Sequence, residues 1–269
     1  MQRKILPIKF IVLLFLSTFL MIGNNSFAIN YYWVGGSGNW SDYQNHWATS
    51  SGGNTFQTQT PQSGDNVYFD NNSFSAANQI VTCDQNIIYC DTMKWTNTNN
   101  DAIFKSISSN NLQIFGSLIF NSHIANQFAG NIEFRTSGNQ SITTSAVSFA
   151  GNVTFNSVGG TGVWTMSDNF DATGNTISIN SGSVFTNGVL VNAATFSANA
   201  GTTLNLGSST IVLSKTLGSE TWYLATTANF NCGTSNIILI NPNTATSGGI
   251  FNGGNQTYYQ VTCKGFPNT

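Results

Sequence analysis

Phe128-Ala129-Gly130-Asn131-Ile132-Glu133-Phe134 recurs as Phe149-Ala150-Gly151-Asn152-Val153-Thr154-Phe155, a shift of 21 residues. Each copy opens on the same four residues and closes on an apolar-polar-Phe strand. A second pair lies further on: Gly207-Ser208-Ser209-Thr210-Ile211-Val212-Leu213 returns as Gly233-Thr234-Ser235-Asn236-Ile237-Ile238-Leu239, a shift of 26. The same glycine-polar-apolar opening occurs at Gly174 and Gly201. A loose period of about 20 to 30 residues, built of strand and turn, is the sequence form of a solenoid. A single coil cannot bury its inner face, but stacked coils share one continuous core, with inward positions repeating at about 4.8 Å.

Outward from these repeats the pattern stays the same. Short period-two runs such as Leu112–Phe115, Ile177–Ile179, Leu204–Leu206 and Ile211–Leu213 are separated by Gly, Asn and Ser, the mark of short strands and tight turns. No window keeps apolar residues at helical spacing. The expected fold is all-β: a single-stranded parallel β-solenoid, a right-handed β-helix, over residues 99–269. That length makes on the order of seven coils and roughly 35 Å of rod. A β-sandwich or propeller is the competing all-β reading. A sandwich would need hairpin turns like Asn187-Gly188 between every strand pair, and has no need of repeats.

Residues 1–28 read as a secretory signal peptide. Arg3, Lys4 and Lys9 form a positive start, Phe10 to Gly23 is almost wholly apolar, and Ser26-Phe27-Ala28 offers a cleavage site. The apolar run is short for a bilayer span, so no membrane insertion is expected after cleavage. Cleavage leaves a net charge of −5. This argues against nucleic acid, which requires a basic footprint, and against docking on anionic lipid. Only 7% of the chain is charged, yet 20 Phe, 8 Tyr and 6 Trp supply core material that disordered chains lack. Solubility falls to Asn, Ser and Thr. The expected location is secreted or at the cell surface.

The segment 29–98 differs in character. Tyr31-Tyr32-Trp33-Val34-Gly35-Gly36-Ser37-Gly38-Asn39-Trp40-Ser41-Asp42 leads to Asn45-His46-Trp47, then to Pro61-Gln62-Ser63-Gly64-Asp65-Asn66-Val67-Tyr68-Phe69-Asp70. A solenoid needs its first coil covered, and this aromatic-rich segment is expected to be the cap. These residues resemble the opening module of large secreted β-helical surface proteins of bacteria, adhesin-like or autotransporter-passenger-like, as in gliding-type bacteria. The resemblance covers Tyr31 to Asp70; the coils behind are similar in style only. It implies a surface role and leaves function open, since such folds carry adhesins and polysaccharide-active enzymes alike.

The candidate sites each have a plain structural alternative. Tyr31, Tyr32, Trp40 and Trp47 make either a sugar-stacking platform or a plug in the solenoid end. Cys83, Cys90, Cys232 and Cys263 are even in number. They are buried core thiols or, in the alternative reading, partly bridged, with Cys83–Cys90 the candidate pair. Val261-Thr262-Cys263 aligns with Val147-Ser148-Phe149, and Val81-Thr82-Cys83 fits the same slot. Asp168 and Asp171 lie close enough in sequence for paired-carboxylate chemistry, but two Asp in a Gly-rich stretch are ordinary turn formers. Asp42, Asp65 and Asp70 offer oxygen ligands of the kind calcium takes, at a spacing that matches no calcium loop. His46 and His123 stand far apart. No catalytic triad or phosphate loop is readable, and no metal or other cofactor is expected.

The function expected from the sequence is an exported, non-catalytic surface structural or adhesin-like protein presenting a β-solenoid to glycans or cell-surface proteins. The alternative is a polysaccharide lyase or glycoside hydrolase on the same fold. The slot at Val261 stops short of the strand that follows the slot at Val147. The chain therefore reads as a solenoid expected to continue past Thr269, or to make end-to-end contact there.

Overall fold

The computed structural model describes residues 28–97, 99–214, 220–241 and 249–265. The expected signal peptide lies outside these, apart from Ala28. The chain is a parallel β-solenoid of about eight turns. Each turn contributes one strand to a first face: Asn30–Trp33, Asn66–Phe69, Met93–Trp95, Leu118–Ile119, Asn139–Thr143, Val163–Met166, Ser183–Phe185, Thr203–Asn205 and Asn229–Asn231, in that spatial order. A tenth strand, Trp47–Ala48, runs antiparallel against Asn30–Trp33 and closes this sheet at the N-terminal end.

Two further faces complete the triangle. The second begins with Gly38–Asn39, Gln79–Thr82, Ala102–Lys105 and Ile124–Gln127. The third begins with Ile87–Cys90, Asn111–Ile114, Asn131–Phe134 and Val153–Asn156. Past Gly151 both faces run through single long strands, Phe170–Ser181 and Leu190–Ala198, paired in register on either side of an irregularity between Ala172 and Thr176. The faces then separate again. Thr210–Ser214 pairs with the first half of Leu190–Ala198, and Glu220–Leu224 pairs with its second half.

The core consists of axial ladders. On the third face Ile88, Leu112, Ile132, Val153, Ile177, Phe196 and Trp222 lie over one another, all buried. Beside them run Cys90, Ile114, Phe134, Phe155, Ile179, Ala198 and Leu224. Like residues stack, as with Phe134 and Phe155 at 5.2 Å and 15°, a geometry worth about 0.5–1.5 kcal/mol beyond area burial. The predicted slot alignment holds. Phe149 donates its N–H to Asp171 O, which sets it over Ala172, and the ladder continues through Ala193, Leu213 and Leu239 to Cys263.

The aromatic-rich segment is continuous with the coils behind it, because its strands Asn30–Trp33 and Gly38–Asn39 are already the first parallel rungs. Its tryptophans fill the N-terminal end of the rod. Trp47 meets Trp33 edge-on at 5.0 Å and Trp40 at 4.8 Å, and its indole Nε1 donates to Trp40 O at 2.9 Å. Trp33 Nε1 donates to Gly36 O at 2.7 Å. A single helical turn, Tyr43–His46, folds the antiparallel strand back over this cluster.

Candidate functional site

The proposed aromatic platform is corrected by the structure. Tyr31, Trp40 and Trp47 are buried, at 1%, 0% and 0% exposure. Strand alternation decides this: Tyr31 and Trp33 point inward and only Tyr32 between them points out. Burial, followed by the nearby Asp65 charge, pushes the Tyr31 phenol up to about 12. Tyr32 is half-buried on the outer surface and stacks on Tyr68 at 4.9 Å and 17°. Tyr68, which sequence reading missed, is its register partner one coil on; the signal was a shift of 36 residues between two Tyr at equivalent outward positions.

All four cysteines are free, and Cys83 and Cys90 are buried. Of the two readings, buried core thiols and a Cys83–Cys90 bridge, the structure has the first: each thiol occupies its own inward ladder position as a small apolar group. Burial pushes both thiols well above their ordinary range, with Asp84 adding to the effect at Cys83 and Asp91 at Cys90. Cys263 is exposed although its slot is inward, because Gln260–Lys264 is the last described rung of its face.

The acidic candidates are committed to turns. Asp168 accepts from Thr144 N at 2.8 Å, Thr144 Oγ1 at 3.1 Å and Ser145 N at 2.6 Å, one coil back. Asp171 accepts from Thr173 N at 3.0 Å and Thr173 Oγ1 at 2.6 Å. Asp65 takes Ile29 N and Gln62 N, Asp70 takes Asn72 N, and Asp42 takes Asn45 Nδ2. No group of three metal-ligating side chains occurs among the described residues. His46 is held by Val34 O at 2.7 Å and stacks on Trp33 at 4.6 Å. His123 faces Asp101 at 2.8 Å on the surface.

What remains on the outside is a ladder of neutral polar side chains along the third face. Thr195 Oγ1 donates to Thr176 Oγ1 at 2.9 Å, Ser197 Oγ to Ser178 Oγ at 3.1 Å, and Asn199 Nδ2 to Asn180 Oδ1 at 3.0 Å. These bonds run parallel to the rod axis, coil to coil. Among these neutral side chains stands a buried charged one. Glu133 is 8% exposed and accepts from Asn111 Nδ2 at 3.1 Å, Gln113 Nε2 at 3.1 Å and Asn156 Nδ2 at 2.7 Å. Arg135 NH1 lies 3.7 Å from its Oε1.

At the corner leading back to the first face, Asp91, Phe115, Arg135 and Gln140 line an open groove of about 400 Å³. Burial pushes the Asp91 carboxyl above its ordinary range. No protein-family model, no curated protein and no solved structure matches this chain.

Proposed function

We propose that this chain is an exported, non-catalytic structural or adhesin-like protein whose solenoid faces are presented to glycans or to neighbouring cell-surface molecules. The observation that supports the reading is the axial ladder of Thr, Ser and Asn side chains on the third face. Neutral hydroxyls and amides fixed by each other form a rigid, uncharged surface rich in donors and acceptors, the chemistry that matches sugar hydroxyls. Rigidity matters because side chains already ordered lose little entropy when a ligand arrives. The aromatic-packed N-terminal end fits the resemblance to opening modules of β-helical surface proteins.

The same reading includes end-to-end contact at the far end. Val261 and Tyr259 are exposed there, at 37% and 65%, and Gln260–Lys264 pairs on one edge only among the described residues. A free edge is a template for a further strand.

The test is a panel of neutral and acidic glycans incubated with the secreted full chain, read for binding and for new reducing ends or unsaturated products. Binding without turnover is expected. Turnover would select the polysaccharide-cleaving alternative, and no binding at all would reject the glycan half of the proposal.

A further inference from the structure

The groove at the corner of the third and first faces combines features found nowhere else among the described residues. Phe115 donates its N–H to Cys90 O, and Arg135 donates to Ile114 O. These bonds set Asp91, Phe115 and Arg135 in register on three successive coils. Rungs are about 4.8 Å apart, so the acid and the base stand on the order of 10 Å apart with a half-buried phenyl ring between them. Arg135 is the only arginine beyond Arg3 in the sequence.

Its guanidinium is positioned by its neighbours without a hydrogen bond to Glu133. Cζ sits 5.8 Å from the Phe115 ring centroid. NH1 approaches Glu133 Oε1 only to 3.7 Å, outside hydrogen-bond distance. Nε is buried without an acceptor. Glu133 does not need those donors, since Asn111, Gln113 and Asn156 already supply its oxygens. Held at ion-pair distance by Glu133, the guanidinium turns its terminal N–H donors along the groove wall, where they offer a carboxylate a bidentate partner.

We propose that the Asp91–Phe115–Arg135 groove binds a carboxylated sugar, a hexuronate residue within a chain. The carboxylate takes the Arg135 fork, the C–H face of the ring lies against Phe115, and hydroxyls on the far side donate to Asp91. Asp91 accepts from Thr92 Oγ1 at 3.3 Å and from the Thr92 backbone amide, and a carboxylate has about four lone-pair sites, which leaves it acceptor capacity. The groove's volume of about 400 Å³ lies within the range of small-ligand sites. Asp91 also excludes ligands that are anionic at both ends, which sets a uronate apart from a polysulfated chain. This inference rests on the glycan half of the function proposed above and names the class of glycan.

The experiment is calorimetric titration of the full chain with a trigalacturonate and with a neutral galactotriose, repeated for R135K and F115L. Arg135→Lys keeps a positive charge beside Glu133 and removes the fork. Phe115→Leu keeps bulk and removes the flat ring. Wild type is expected to bind the uronate at least tenfold more tightly than the neutral sugar. Each variant is expected to lose at least tenfold of that affinity with its melting temperature unchanged. Should R135K fail to fold, Gln140→Ala on the groove wall carries the same expectation of weakened uronate binding. Equal affinity for acidic and neutral sugars overturns the site and leaves the broader function standing. Uronate binding that R135K does not weaken places it elsewhere and also overturns the site. No binding of either sugar overturns both readings.

Discussion

Gly151→Ala tests whether the coils stack as tightly as the repeat implies. A Cβ built on Gly151 falls 1.9 Å from Gly130 O of the preceding coil and 2.9 Å from Ala129 O. Gly130 stands in the same relation to the coil before it, its Cβ position lying 2.2 Å from Asn110 O. The obstacle is backbone on a neighbouring rung, so no side-chain rotation relieves it. Roughly 1 Å must open between coils that are about 4.8 Å apart. The bond at risk between these two coils is Ile132 N to Asn152 O at 2.9 Å. Overpacking of this kind costs about 1–3 kcal/mol, and the weakened bond adds about 1 kcal/mol. The expected loss is about 2–4 kcal/mol, or roughly 5–15 °C in melting temperature at 2–4 °C per kcal/mol. The control is Gly64→Ala. Gly64 has nothing within 4 Å of a built Cβ, and alanine there should leave stability level or raise it by about 0.4–1 kcal/mol through the unfolded chain. Urea and thermal unfolding of both variants decide the matter. A Gly151→Ala protein melting with wild type would refute the close approach and with it the reason for glycine in the repeat.

Iodoacetamide at pH 8 is expected to label Cys263 and, more slowly, the partly exposed Cys232, with Cys83 and Cys90 reacting only after denaturation; intact-mass analysis reads the count, and a native Cys83–Cys90 bridge would show as two sulfurs that never alkylate without reductant. Alkali should destabilise the fold. The native state keeps protons on Cys83, Cys90, Tyr31 and Tyr258, the last two pushed to about 12 mainly by burial, while the unfolded chain releases them near 8.5 and 10. Their stabilisation is complete below the unfolded values and is lost as pH rises toward 12, about 3 kcal/mol for Tyr31 alone; a urea midpoint that stays constant from pH 8 to 11 would contradict this. Trp47→Ala removes a fully buried indole and should cost about 3–5 kcal/mol without weakening glycan binding per folded molecule, whereas selective loss of binding would restore the aromatic platform.

The fold was legible because the ladders copy themselves into the sequence. The Val147/Val261 slot and the Phe128/Phe149 repeat both survive as true register relations. Which face each repeat serves was not legible. The Phe-Ala-Gly-Asn copies turn the corner into the third face, whereas the copies at Gly207 and Gly233 open onto the second. Period-two alternation is the same on every face, so only pairing partners separate them. The aromatic candidates failed for a related reason. Richness in Tyr and Trp says nothing of direction, and inward parity took Tyr31 away from solvent while leaving Tyr32 outside. The Asp91–Phe115–Arg135 corner was hidden because its members stand 24 and 20 residues apart. They become neighbours only once Cys90, Ile114 and Phe134 are known to stack, since each corner residue follows one of those three.

Glu133 remains the residue whose presence stability alone does not explain. The other carboxylates described above at Asp65, Asp70, Asp168 and Asp171 accept turn N–H groups, where an anion is cheaply satisfied. Glu133 instead sits mid-strand at 8% exposure, where a desolvated charge is costly unless fully paired. The same outward ladder is occupied on later coils by Thr154, Ser178 and Ser197, which serve the strand without charge. If the position existed only for stability, the hydroxyl would suffice. Glu133→Thr is accordingly expected to change unfolding free energy by less than about 1 kcal/mol, because the amides of Asn111, Gln113 and Asn156 are partly exposed and regain water. What the substitution removes is the negative charge that holds the Arg135 guanidinium over Phe115. Uronate affinity should therefore fall while melting temperature does not. A loss of more than about 3 kcal/mol in stability would show that the ion pair serves the fold, and that Arg135 stands there as a counter-charge to Glu133.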